Sequence, residues 1–253
     1  MEFRIDPCEG MSRVRIFSEK YLGEQFLELD CFENFLEIKT ESELWQWNRN
    51  QEAVGYTVNT SGAKRGKVTL SVRLCPAPDG IVLDTAVTNR DTHIIDDIKY
   101  NTCLKFKHVP AFKDYDGKNV FVWTDEGWLS ILDLPCRVAA RRWRRMQNYF
   151  VKDHEPDGLD NGFMGHWGFC PRPLAKAFIA KLAPESGLAI GLLWDRAFYC
   201  RNNMNDSHHC IHSQGQIDDL LPGDTRKRRG KIFFAPDGLD ALYEQAAAFF
   251  GWA

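Results

Sequence analysis

No stretch of this 253-residue chain approaches the roughly 20 consecutive apolar residues that a membrane-spanning helix requires. Residues 1–17 contain no apolar run of the kind that forms a leader peptide. The expectation is a cytoplasmic protein; a secreted one whose leader has been removed is the alternative. Nor is positive charge in excess. The formal net charge is -3, which argues against a general nucleic-acid binder. The local exception, Arg141, Arg142, Trp143, Arg144 and Arg145, is short enough to be a solvated face or a set of internal ion pairs. The eight cysteines form no CxxC pair and no small-domain disulfide spacing, so reduced thiols are expected. There is no phosphate loop, dinucleotide fingerprint or Gly-x-Ser-x-Gly elbow, and no internal repeat or low-complexity linker.

What is present is strand signal. Residues 35–40, 67–74, 81–88 and 98–107 alternate apolar and polar side chains, the period of a half-buried strand. Pro76, Pro78 and Gly80 mark a turn, because prolines cannot donate to a ladder. Residues 89–92 close the hairpin. Strands at 177–182 and 188–194 flank a second turn at 184–187, and 226–234 returns after Pro222 and Gly223. Leu239, Leu242, Ala246 and Phe249 have helical spacing, so a helix is expected over 239–250, with Asp237 or Asp240 at its start. Residues 136–149 fit either state. The sum is one all-β domain over 1–253, a sandwich or closed architecture with a C-terminal helix.

Two segments break this regularity. Residues 149–173 hold four glycines, three prolines, His154, His166, Trp167 and several acids. Long loops in compact domains are often functional. Rings interleaved with short polar groups such as Asp160 and Asn161 suit sugars, since rings stack on pyranose C–H faces while the polar groups take hydroxyls. An ordered surface loop whose Phe163, Trp167 and Phe169 cap the core is the structural alternative.

The second segment, 201–234, places His208, His209, Cys210 and His212 within five residues. On a strand, His208, Cys210 and His212 share one face. His208 and His212 then lie roughly 13 Å apart, too far to share a metal, whereas Cys210 and His212 lie about 7 Å apart and can share one with a third ligand such as His166 or His154. Without a metal, these histidines hold substrate hydroxyls or satisfy buried backbone groups. Histidine also needs the least tuning for proton transfer at neutral pH. His166, His208 and His212 are therefore candidate acid/base residues, with Asp153, Glu155, Asp157, Asp160 and Asp195 as carboxylate partners. Trp45 and Trp47 at i, i+2 offer a stacking platform on an extended segment; core packing explains them equally well, as it does Trp123 and Trp128.

The run Val87-Thr88-Asn89 after Leu83, and Cys210-Ile211-His212-Ser213 followed by Pro222-Gly223-Asp224-Thr225 and Arg229-Gly230-Lys231-Ile232-Phe233-Phe234, resemble motifs of bacterial galactose mutarotase-like proteins. These are mostly uncharacterised. The resemblance spans about residues 35–235, with motif detail in its last third. It implies an antiparallel β-supersandwich and a carbohydrate-binding or carbohydrate-active protein. True mutarotases use a His–Glu arrangement in the sandwich cleft, which does not map residue by residue onto this chain. Asp224 stands where the related motif has glutamate, one methylene longer.

The resulting expectation is a saccharide or sugar-acid ligand, with no nucleic-acid or membrane partner. Catalysis falls to His166, His208 and His212. Trp167, Asp160, Asn161, His209, Arg142 and Arg144 bind substrate, the arginines through a forked contact to a sugar carboxylate. Cys210, His212 and His166 are the metal candidates; the sequence is compatible with a divalent ion and requires no cofactor. Epimerase, isomerase or lyase chemistry would suit such groups. A non-catalytic binding module, or a subunit completed by a partner chain, is the alternative. Oligomeric state is left open.

Overall fold

Alternation turns into strands because one face of each strand meets the core and the other does not. The computed structural model describes residues 2–33, 46–50, 53–59, 67–96, 98–135, 146–152, 154, 168–204 and 208–252. Its elements run β1 (Arg4–Pro7), β2 (Arg13–Phe17), α1 (Glu19–Leu22), β3 (Phe26–Glu33), β4 (Trp47–Asn50), β5 (Ala53–Asn59), β6 (Val68–Ala77), β7 (Gly80–Asn89) and β8 (Ile98–Lys105). There follow β9 (Val120–Thr124), β10 (Gly127–Ser130), β11 (Met146–Phe150), β12 (Gly168–Phe169), β13 (Ile179–Leu182) and β14 (Ala189–Trp194). The chain ends with β15 (Ala197–Asn203), β16 (Cys210–Ile217), β17 (Thr225–Ala235) and α2 (Gly238–Phe250).

Among the described residues these strands form two sheets. An eight-stranded sheet has the order β1-β2-β3-β8-β16-β15-β11-β12, and a nine-stranded sheet the order β10-β9-β13-β14-β17-β7-β6-β5-β4. All neighbours are antiparallel except β11 and β12. The sheets share one apolar cluster, to which Leu29, Leu104 and Ile211 contribute from the first and Tyr56, Leu83 and Leu192 from the second. Trp194 ties the two together: its indole N–H donates across the core to Thr102 Oγ1 of β8 at 3.1 Å. α2 covers the outer face of β13, β14 and β17, burying Leu242 and Ala246 against Phe178 and Phe233.

The expected strands at 67–74, 81–88, 98–107, 177–182, 188–194 and 226–234 form with end shifts of a few residues. That at 35–40 lies outside the described residues. One expectation needs correction. β6 does not stop at Pro76 but continues to Ala77, in register with Gly80. The reason is that β5 pairs with β6 no further than Leu74, so beyond it β6 has a neighbour on one side alone and tolerates a missing N–H. Gly80 is required there: its φ is 151°, and a Cβ would lie 1.9 Å from the Ile232 carbonyl oxygen. Asp237 occupies the N-cap position of α2 but makes no side-chain capping bond, and Asp240 lies in the first turn. The short helix α1 was not expected; Ser18 Oγ caps it by accepting from the Tyr21 amide.

Candidate functional site

Registers bring one set of polar side chains onto the face of the eight-stranded sheet that is turned away from the core. Arg13 pairs with Asp30, Asp30 with Cys103, Cys103 with His212, His212 with Arg201, and Arg201 with Asn148. Directly paired residues project to the same side, so these six form one row across β2, β3, β8, β16, β15 and β11. A parallel row carries Arg15, Glu28, Lys105, Cys210 and Asn203. The alternate residues, Leu29, Leu104 and Ile211, point into the core.

Most of these polar groups are enclosed: Asp30, Lys105, Asn148, Arg201 and His212 are all buried. Burial of this kind demands partners. Asp30 accepts from Arg13 Nε at 2.5 Å and from Lys105 Nζ. Burial pushes its carboxyl up, but the bonds from Arg13 and Lys105 win and hold it below the usual range. Burial would lower Lys105, and the bond to Asp30 outweighs that and raises it. Glu28 behaves like Asp30: burial opposes ionisation, while Lys107 at 2.9 Å with Arg13 and His108 lowers the carboxyl. Arg201 donates to the Tyr199 hydroxyl at 2.7 Å, and Asn148 donates to the Gly168 carbonyl at 3.1 Å.

His212 is the histidine at the centre. Its Nδ1 lies 3.1 Å from Asn101 Nδ2 and its Nε2 lies 3.0 Å from Cys210 Sγ. Burial raises the Cys210 thiol, yet a hydrogen bond with Cys103 and the pull of His212 bring it well below the ordinary value. Cys210 and His212 thus form a thiol–imidazole pair, a group able to hold a soft metal or exchange a proton.

The structure thus joins Cys210 to His212, as expected for one strand face, while His208 lies outside that strand, near enough for its charge to act on Cys210. β16 starts at Cys210, because His209 adopts a left-handed φ of 42° and breaks the alternation. His208 is consequently exposed in the preceding turn. His209 is buried with its ring edge-on to Tyr115 at 4.8 Å. The third group beside Cys210 and His212 is Cys103, not His154, which is exposed near Phe198. Asp195 turns toward β17, where it accepts the Arg229 amide at 3.2 Å. His166, Trp167, Asp160, Asn161, Arg142, Arg144, Asp153, Glu155, Asp157 and Trp45 lie outside the described residues.

Trp47, Trp123 and Trp128 pack within the protein. Trp47 stands edge-on to Tyr56 at 4.7 Å with its N–H on the Met11 carbonyl. Trp123 stacks on Tyr243, and Trp128 donates to the Leu239 carbonyl at 2.8 Å, so both pin α2. The motif residues Asn89 and Gly223 also have structural work: Asn89 Nδ2 donates to the His93 and Leu220 carbonyls, and the Gly223 amide donates to the Asn89 carbonyl. They stitch the turn after β7 to the turn before β17.

Cys103, Asp30, Lys105, Asn148 and Arg201 were not singled out from sequence. The alternation Leu27-Glu28-Leu29-Asp30, acids on one face and leucines on the other, was the available signal for the first part of the row.

No family model and no protein of curated function matches the chain. Solved structures do. A galactose mutarotase-like protein from Lactobacillus casei superposes with TM-score 0.52 at 10% identity, covering 92% of this chain and 97% of that one. The fold is the galactose mutarotase-like supersandwich. An Escherichia coli protein provisionally named an aldose 1-epimerase matches with TM-score 0.51 at 10% identity over 92% and 98% of the two chains. A Synechocystis protein matches with TM-score 0.52 at 6% identity over 92% and 96%. At such identities the galactose mutarotase-like likeness concerns the fold, not the site. No helix among the described residues is long and apolar enough to cross a membrane.

Proposed function

We propose that the polar face of the eight-stranded sheet binds a saccharide or sugar acid. The observation that carries this reading is the cross-strand row from Arg13 to Asn148, six side chains from six strands gathered on one face. A pyranose presents a ring of hydroxyls, each both donor and acceptor, and such a row offers matching amides, cations and carboxylates. Arg201 is the residue suited to a sugar carboxylate, since its guanidinium presents a planar fork. The names of the structural neighbours support the same substrate class. In the metal-free protein, proton transfer on this face falls to His212, whose Nε2 is shared with Cys210. An epimerase, isomerase or lyase uses such a group.

A non-catalytic binding module, or a subunit of a larger assembly, is favoured by one specific observation. The Asp30 end of the row already satisfies itself, with Arg13 and Lys105 both donating to its carboxylate. A self-satisfied network is rigid and needs no reaction to explain it.

A binding screen of monosaccharides, uronic acids, nucleotides and fatty acids decides the substrate class. Saccharide binding that weakens at least tenfold in Arg201→Ala or Asn148→Ala is expected. Tight nucleotide binding with no saccharide response would overturn the reading. His212→Ala then separates the two versions: turnover lost with affinity kept marks an enzyme, whereas no turnover by the unaltered protein marks a binding module.

A further inference from the structure

We infer that Cys103, Cys210 and His212 form a zinc site on the same face, with two thiolates and one imidazole as protein ligands. The sulfur atoms of both cysteines and a ring nitrogen of His212 lie within 4.8 Å of one another, and all three residues are buried. Around a tetrahedral zinc, sulfurs stand about 3.8 Å apart and sulfur and nitrogen about 3.6 Å apart, given bonds of about 2.3 and 2.0 Å. The 3.0 Å between Cys210 Sγ and His212 Nε2 needs to open by roughly half an ångström to admit the ion.

The sheet register explains why these residues suit a metal better than a disulfide. Cys103 pairs with His212, and Cys210 with Lys105, so the two cysteines are diagonal neighbours. Diagonal positions across an antiparallel pair lie about 7–8 Å apart at Cα, beyond ordinary disulfide reach. Neither cysteine is in a disulfide. Metal coordination inserts an ion between the sulfurs and so tolerates this separation.

Asn101 supplies the support that a histidine ligand requires. It is on β8 two residues from Cys103, and its amide reaches His212 Nδ1 at 3.1 Å. Turned about its terminal bond, the amide presents its oxygen there and accepts Nδ1–H. That fixes the tautomer with the Nε2 lone pair toward the sulfurs, the usual arrangement for a metal-ligating imidazole. All three ligands rise from the same face of one sheet. The fourth tetrahedral position is left for water, as in zinc sites with three protein ligands.

Loading releases two protons to solvent, one from Cys103 and one held by the Cys210–His212 pair, as two sulfur–zinc bonds form. A zinc-bound water is more acidic than free water, so loading withdraws His212 from proton transfer and places that water above the same row. Binding of the ion does not depend on the saccharide reading.

The test uses the full chain, stripped of metal and titrated with zinc and with cobalt(II). One ion per chain is expected, together with a thiolate-to-cobalt charge-transfer band and the strong visible bands of tetrahedral cobalt. Cys103→Ser and Cys210→Ser should each weaken zinc binding at least tenfold and reduce that band, while Cys200→Ser, a buried thiol elsewhere, leaves both unchanged. Zinc-edge X-ray absorption on the unaltered protein reads the ligands without any variant and should show two sulfurs and at least one imidazole. Absence of stoichiometric binding, a shell of oxygen and nitrogen alone, or an undiminished charge-transfer band in folded Cys210→Ser would overturn the proposal.

Discussion

Lys181 is a lysine buried in the core. It sits on β13 facing the core, where its Nζ donates to the Phe112 carbonyl at 2.6 Å and lies over the Phe106 ring. Burial lowers its pKa to about 8, with Asp114 and Cys210 opposing the shift. The sign follows directly. A lysine depressed on folding costs stability wherever it must be charged in the folded state and neutral groups would not. That cost is complete below about pH 8 and disappears as pH rises toward the unfolded value near 10.4. Lys181→Met should therefore gain stability relative to the parent at pH 7, by up to roughly 3 kcal/mol less about 1 kcal/mol for the lost hydrogen bond. The advantage should shrink steadily between pH 8 and 10.5. Urea denaturation at pH 7 and pH 10 measures it, and a difference independent of pH would mean that the lysine is not desolvated.

At the scale of elements, α2 is held by two tryptophans for which the sequence left stacking and core packing both open. Trp123 and Trp128 dock it through Tyr243 and the Leu239 carbonyl. Gly251, at φ 67°, ends it by donating to the Ala247 carbonyl. Gly191 on β14 lies beneath Leu242 of the helix and beside Phe178. A Cβ there would stand 2.7 Å from Phe178 Cε2 and 2.8 Å from Leu242 Cδ2. Gly191→Ala should cost about 1–3 kcal/mol by overpacking. Thermal denaturation gives the loss, and a changed tryptophan emission shows that α2 has moved. Full stability in this variant would show that the helix accommodates the methyl group without strain.

At the scale of the whole molecule, the two sheets depend on each other. Their apolar faces contribute to one cluster, and the Trp194–Thr102 bond crosses between them. Neither sheet has another partner for that face among the described residues. We therefore propose that 1–253 is one cooperative domain. Its denaturant unfolding should be a single transition, with far-UV circular dichroism and tryptophan fluorescence coincident. Two separated transitions would show that the sheets unfold independently.

The sequence by itself determined the class of structure and a minority of its strands, namely β6, β7, β8, β13, β14 and β17. Period-two runs such as 67–74 and 81–88, broken by proline and glycine, have few alternatives, and the helix over 239–250 followed from its spacing. It also determined that Cys210 and His212 share a face, because that follows from the pleat alone. It did not determine that His208 leaves that face, since a single left-handed residue at 209 is decided by local packing. Nor did it show that Cys103 and Asn101 join His212, or that Asp30 and Arg201 lie in the same row. Register between strands remote in sequence is set by which apolar faces close the core together. The polar face opposite that core is assembled as a consequence, so its membership is a property of the tertiary structure.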